Sequence, residues 1–197
     1  MIAYHVSRQT APYKNGSVLH LNNNFIPNNP SGIKIVEDLF PDGVSMHGIH
    51  YLCDISYNSD NPYTLQNIYQ GNAHCSSFLI EYTFEMIRRI KYPHMPSRFQ
   101  SFFALEKLDD LKLWPELTEP RFTIYEIEFS IFHKLDASFL NSGIVIGTKS
   151  ETDFYQSFSP SINWQNACNY WSENISSSPK PELLIPFPVT IKDIIRR

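Results

Sequence analysis

The chain has 197 residues, is 42% hydrophobic and 18% charged, and carries a formal net charge of −4. That balance is globular rather than disordered, and its mild acidity disfavours a protein that coats duplex nucleic acid non-specifically. Glycine is scarce, with 7 Gly against 14 Pro, 14 Phe and 11 Tyr; without a G-x-G-x-x-G or G-x-x-x-x-G-K-[ST] run, the Rossmann and P-loop ways of holding a phosphate are disfavoured.

The length favours one domain spanning residues 1–197. No apolar run approaches the roughly 18 residues of a membrane span, and Met1 to Ser7 lacks the charged and apolar regions of a signal peptide. Three widely spaced cysteines, Cys53, Cys75 and Cys168, read as reduced thiols. A cytoplasmic location and no membrane partner are therefore expected.

Ile2 to Ser7 predicts a strand. Residues 9–31 are rich in Asn, Pro, Gly and Ser and predict loop. A short helix is expected over Gly32 to Phe40, stopped by Pro41-Asp42-Gly43, and residues 54–74 are again turn-rich. The clearest helix runs from Ser76 to Tyr92: Leu79, Thr83, Met86 and Ile90 recur at helical spacing as an inward stripe, joined by Tyr82 and Ile87, with Glu85 and Arg89 outside. A strand is predicted over Phe99 to Ala104, followed by an amphipathic helix from Leu105 to Trp114. Arg121 to Ser130 alternates strictly, placing Thr123, Tyr125, Ile127 and Phe129 on one strand face. A helix from Ser161 to Tyr170, with Ser161 as its cap, leads through a polar loop to a final extended segment, Glu182 to Ile195, kinked by Pro186 and Pro188. This irregular mixture of strands and helices predicts an α+β fold.

Three groups of residues can carry chemistry. Tyr4-His5-Val6-Ser7-Arg8 puts a His and an Arg near the first strand. Ser97-Arg98-Phe99-Gln100-Ser101-Phe102-Phe103-Ala104 is polar and aromatic. Glu182-Leu183-Leu184-Ile185-Pro186 opens the last strand with a single carboxylate. Taken singly, His5 reads as an edge-strand histidine, Arg98 as a surface charge and Glu182 as a solvated strand end. His47-x-x-His50 and His74-Cys75 read as loop residues rather than zinc ligands, because Gly48 argues against a helix. Glu126 and Glu128 read as a polar sheet face, and Glu106, Asp109 and Asp110 as a solvated one; no metal is expected.

In this order the three segments resemble the ADP-ribosyltransferase fold, in its histidine-bearing branch with the diphtheria-toxin and poly-ADP-ribose-polymerase relatives, and small bacterial toxins of that fold. The resemblance implies a split mixed sheet with flanking helices and NAD+ as co-substrate. It implies a mono-ADP-ribosyltransferase that acts, toxin-like, on a nucleic-acid base such as one in single-stranded RNA or DNA, or on a protein side chain. A toxin of this kind implies an antitoxin partner. By resemblance Glu182 is the catalytic carboxylate, stabilising the oxocarbenium-like transition state, and His5 is its catalytic companion, donating a hydrogen bond to a ribose hydroxyl or to the nicotinamide side. Tyr4, Arg8, Arg98, Ser101, Phe103, Trp114 and Tyr170 are the expected NAD+-binding residues: arginines on the pyrophosphate, Ser101 as a hydroxyl donor, aromatic rings on the nicotinamide. Trp171, Ser178 and Lys180, at the ends of and within the loop before Glu182, are the expected target-recognition residues. The chain departs from the pattern at Val6, where the polymerase branch has Gly; at Leu113 and Trp114, where it has a stacking Tyr; and at Lys180, where the arginine-modifying branch has Glu or Gln. The alternatives are a non-catalytic binding module of the same fold and an NAD+-dependent RNA 2'-phosphotransferase; the latter needs more basic residues than His5, Arg8 and Arg98 supply.

Overall fold

The computed structural model describes residues 1–8, 13–24, 30–54, 73–118, 122–141, 144–148 and 154–196. Alternating apolar residues drive two antiparallel sheets. The first has the order β1 (Ile2–Ser7), β4 (Thr123–Glu128), β9 (Val189–Arg196), β2 (Val18–Leu19). The second has the order β3 (Ser101–Ala104), β8 (Pro181–Pro186), β5 (His133–Asp136). A separate hairpin pairs β6 (Ile144–Thr148) with β7 (Phe154–Phe158). The helices are α1 (Pro30–Leu39), α2 (Met46–Ile49), α3 (Ala73–Lys91) and α4 (Pro160–Trp171). The arrangement is α+β, as the sequence predicts, but every strand pairing among the described residues is antiparallel, where the resemblance implies a mixed sheet.

The two sheets meet edge to edge. Edge strand β1 is tied to the end of edge strand β3 by Tyr4 and Leu105, which exchange backbone hydrogen bonds of 2.9 and 2.8 Å. Between the sheets lies a core of Ala3, Phe102, Tyr125, Ile127, Leu183, Ile185, Val189 and Ile191. The predicted alternation of β4 holds for Thr123, Tyr125 and Ile127, with Phe129 buried just beyond the strand, but Ile124 on the opposite face is buried as well. On the other face of the second sheet, Leu184 and Leu135 pack against Phe84 and Ile87 of α3 and Ala167, Tyr170 and Trp171 of α4. Because side chains alternate along β8, Glu182 shares the helix-facing side with Leu184.

Several expectations are corrected. The final extended segment is two strands in two different sheets, separated at Phe187 and Pro188, whose bond is cis. The predicted helix Leu105 to Trp114 is instead a backbone bridge at Leu105 and a 3₁₀ turn, Leu108–Leu113, that buries no residue. Arg98–Gln100 is a 3₁₀ turn, so the strand expected from Phe99 begins at Ser101. The N-cap position of α4 is Ser159, not Ser161, without a side-chain capping bond, and Pro160 sits in the first turn. Val18–Leu19 adds an edge strand inside a segment predicted as loop.

The largest correction concerns α3. Most of the stripe predicted to face inward is outward: Leu79, Tyr82, Met86 and Ile90 are exposed, Ile90 by 64%, while Ile87 is buried as expected. Inward lie Phe84 and Ile87 together with the charged Glu81, Glu85 and Arg88. Burying charge is tolerated only when it is paired, and this face supplies the pairs. Glu85 accepts hydrogen bonds from Arg88 Nε at 2.9 Å, Arg89 Nε at 2.7 Å and Ser97 Oγ at 2.8 Å.

His47 and His50 are also not loop residues. His47 sits in α2 and His50 begins a π-helical turn, His50–Asp54. Gly48 permits this rather than preventing it. A Cβ there would lie 2.4 Å from the Phe99 carbonyl oxygen, so only glycine lets α2 press onto the Arg98–Gln100 turn. Ser45 completes the junction, donating from its N–H at 2.8 Å and its Oγ at 3.0 Å to the same carbonyl.

Candidate functional site

A cavity of about 710 Å³ opens where the two sheet edges, α2 and α3 converge. Of the residues expected to form a site, Tyr4, His5, Arg8, Arg98, Phe103, Trp114 and Glu182 line it. They come from β1, the Arg98 turn, β3, the Leu108–Leu113 region and β8, so the fold brings together what the sequence spreads over most of its length.

Glu182 is 5% exposed at the inner wall. Its Oε1 accepts from Arg98 Nη1 at 2.5 Å and from Tyr170 Oη at 2.6 Å. Both fixed donors fall on one oxygen, which holds the carboxylate in one orientation. Arg98 in turn forks onto Glu81, Nε to Oε2 at 2.8 Å and Nη2 to Oε1 at 3.0 Å. The guanidinium thus lies between two buried carboxylates and stacks 4.7 Å from the Phe103 ring centroid. His47 Nε2 stands 3.2 Å from Glu81 Oε1. Burial opposes ionisation of Glu81, but the Arg98 guanidinium and the adjacent His47 outweigh it and hold this carboxyl well below the usual range. Burial likewise opposes the charge on Arg98, and Glu182 and Glu81 more than compensate, so it stays protonated. Burial and the Glu182 carboxylate push the Tyr170 phenol well above its ordinary value, against the pull of Arg98; Tyr170 is a neutral donor.

His5 is packed 4.2 Å from the Phe102 ring, and its Nδ1 lies 2.8 Å from the Phe103 carbonyl oxygen. A carbonyl only accepts, so Nδ1 carries the proton and Nε2 of the neutral ring is an acceptor. Burial lowers the His5 pKa to about 4, only partly offset by that carbonyl. The expected donation from His5 is thereby revised: its remaining nitrogen accepts, for example from a hydroxyl.

At the outer rim, the Trp114 indole donates to the Pro181 carbonyl at 3.3 Å and has Lys180 Nζ 4.1 Å above its ring. Lys180 Nζ also pairs with Glu116. Arg8 is exposed on the same wall.

Other expected roles change. Arg98 is Glu182's partner and not a free pyrophosphate-binding cation, since four of its five donors go to Glu81, Glu182 and Tyr170. Tyr170 is fully buried behind Glu182 and offers no face for stacking. Ser101 is buried, its hydroxyl spent on the Ser97 carbonyl at 2.7 Å. Trp171 is 1% exposed and donates to the Phe84 carbonyl, so it belongs to the core and not to target recognition. Ser178 is exposed in the loop before β8.

Three residues that build the site lie outside the expected set, one of them, His47, expected only as a loop residue. Buried Glu81 links Arg98 to the half-buried His47. Asp136 ties down the loop before Glu182: its carboxylate accepts from the backbone N–H of Ser138 at 2.9 Å, Ser176 at 2.8 Å and Lys180 at 2.9 Å. Despite burial, those hydrogen bonds lower its pKa to about 2. The H-x-x-H spacing was the available signal for His47; nothing in the local sequence distinguishes Glu81 from a surface glutamate.

Among the described residues, no cluster of His, Cys, Asp and Glu could hold a metal ion, and no helix is long and apolar enough to cross a membrane. A search of curated proteins returns no match. Residues 3–197 match the family described as "Protein of unknown function (DUF2441)", and the chain belongs to that family.

Proposed function

We propose that this protein is an NAD+-dependent mono-ADP-ribosyltransferase, acting in the cytoplasm as a toxin or effector and held in check by an antitoxin. It would move ADP-ribose to a nucleic-acid base or a protein side chain and release nicotinamide. The observation that carries this reading is the convergence of His5 and Glu182, from two different sheets, on one cavity of about 710 Å³. That volume suits a ligand of dinucleotide size. The residues fit such a ligand in kind: a fixed carboxylate at the inner wall, a neutral imidazole with a free acceptor nitrogen, and Arg8 and Trp114 toward the rim.

The chemistry asked of the chain is electrostatic. As the bond from ribose to nicotinamide breaks, its electron pair leaves with the nicotinamide and positive charge develops on the ribose. Glu182, immobilised by Arg98 and Tyr170, stabilises that charge without reorganising. His5 Nε2 accepts from a ribose hydroxyl and fixes the sugar. The acceptor atom of the target attacks the ribose carbon and loses its proton.

The burial and ion pairing of Glu182 also favour a second reading, a binding module of the same fold without turnover. Labelled NAD+ incubated with the protein and with separate RNA, DNA and protein pools decides between them. Label on one pool with nicotinamide release is the expected result, lost in Glu182→Gln. Binding of NAD+ without nicotinamide release would leave the binding module.

A further inference from the structure

We infer that Glu81, by balancing Arg98, gives the inner wall of the cavity its negative charge and makes the site select a planar ring bearing a positive charge. This deepens the transferase reading and rests on it for the identity of the ring, but the argument is one of charge and position.

The inner wall holds Glu81, Arg98 and Glu182, all nearly inaccessible to solvent. His47 Nε2 also stands 3.2 Å from Glu81 Oε1; with that ring neutral, two carboxylates against one guanidinium leave one net negative charge. Without Glu81, Arg98 and Glu182 would form a neutral pair 2.5 Å apart, and the cavity would face a dipole instead of a charge. Glu81 meets Arg98 on the side away from Glu182, through the bidentate contacts at 2.8 and 3.0 Å, so it cancels the guanidinium charge without touching the Glu182 carboxylate.

The outer rim has the opposite sign. Arg8 and Glu116 line it, and Lys180, outside the lining itself, pairs with the Glu116 carboxylate, which leaves the Arg8 charge facing the mouth. The cavity is thus polarised, negative within and positive at its mouth. A ligand with a cationic ring at one end and an anionic phosphate further along matches both. Its reduced form, with an uncharged ring, matches only the rim. In a low-dielectric wall a unit charge is worth far more than in water, so this polarity discriminates strongly.

The test is calorimetric binding at pH 8 with two small probes of nearly the same shape, 1-methylnicotinamide, which is cationic, and nicotinamide, which is neutral. The wild-type protein is expected to prefer the cation by about tenfold or more. Glu81→Gln is expected to bring the ratio close to one, and Glu81→Asp to restore most of it. The ratio within each variant cancels any general loosening of the site. A wild-type ratio near one, no binding of either probe, or an unchanged ratio in Glu81→Gln overturns the inference. Nicotinamide release from NAD+ by the wild-type protein is scored separately; its absence counts against the transferase reading and leaves the charge selection standing or falling on the ratio alone.

Discussion

Arg98 Nη1 lies 2.5 Å from Glu182 Oε1, although the two residues are 84 positions apart and neither is more than 5% exposed. Such a pair is costly to bury and more costly to break. Its survival depends on what surrounds it: Glu81 on the far side of the guanidinium, Tyr170 on the same carboxylate oxygen, and Phe103 beneath the guanidinium plane.

Removing the cation should therefore do more than remove a contact. Arg98→Met leaves Glu182 buried without a counter-charge and Glu81 with only His47 beside it, and is expected to destabilise the fold by about 3–5 kcal/mol. Adding Glu81→Gln and Glu182→Gln to the same chain should recover a large part of that loss, because no buried charge then remains unpaired. Urea unfolding of the single and triple variants measures both. Equal stability of wild type and Arg98→Met would show that the array is hydrated rather than buried.

His5 makes folding stability depend on pH. Unfolded, its imidazole takes a proton near pH 6.5; folded, only near pH 4. Between these values the unfolded chain binds more protons, so stability falls as pH drops through that window. The contribution is about 2–3 kcal/mol between pH 6.5 and 4.5. His5→Gln is expected to flatten this part of the profile, while the loss due to Glu81 and Asp136, whose carboxyls are held low, persists further into acid. Denaturant melts of both proteins across pH 4 to 8 give the difference.

Much of the frame was legible because it rests on period. β1, β4 and β8 follow from alternation or apolar runs, and α4 needed only a shift of its cap. Both ends of the site, His5 and Glu182, sit on such strands. What failed to show was orientation. In α3 the apolar residues at helical spacing look like an inward stripe, and in most helices they are. Here the interior instead holds Glu81, Glu85 and Arg88, whose partners Ser97 and Arg98 lie on a turn that sequence spacing cannot place against them. Charge burial reverses the pattern only when distant residues neutralise it, and that pairing is tertiary. The same holds for Gly48, which reads as a helix breaker until the close approach of the Phe99 carbonyl is known.

That close approach is itself testable. Gly48→Ala places a Cβ against a backbone oxygen that two bonds from Ser45 already fix. The neighbour cannot swing aside as a side chain would, so α2 must lift. A cost of about 1–3 kcal/mol is expected, with His47 drawn off Glu81. A thermal melt reads the first effect and the histidine NMR resonances read the second. Unchanged His47 resonances would mean that the α2 contact is softer than the geometry requires.

Asp136 gives the last prediction. Its carboxylate collects three backbone N–H groups, two of them from the loop that ends at Glu182. Asp136→Ala leaves those half-buried donors without their acceptor and should cost about 1–3 kcal/mol at neutral pH. The sign with pH follows from the lowered pKa. The ionised form is the stabilising one, so its contribution is complete above about pH 3.8 and declines as pH falls toward 2. The wild type and the variant should therefore converge in acid and diverge above pH 4. Because the freed loop carries Lys180 and leads directly into Glu182, the variant is also expected to show faster amide exchange over residues 176–180 at neutral pH. Protection equal to wild type there would assign the hold on the loop to the neighbouring strand pairing of β5 with β8 rather than to the Asp136 carboxylate.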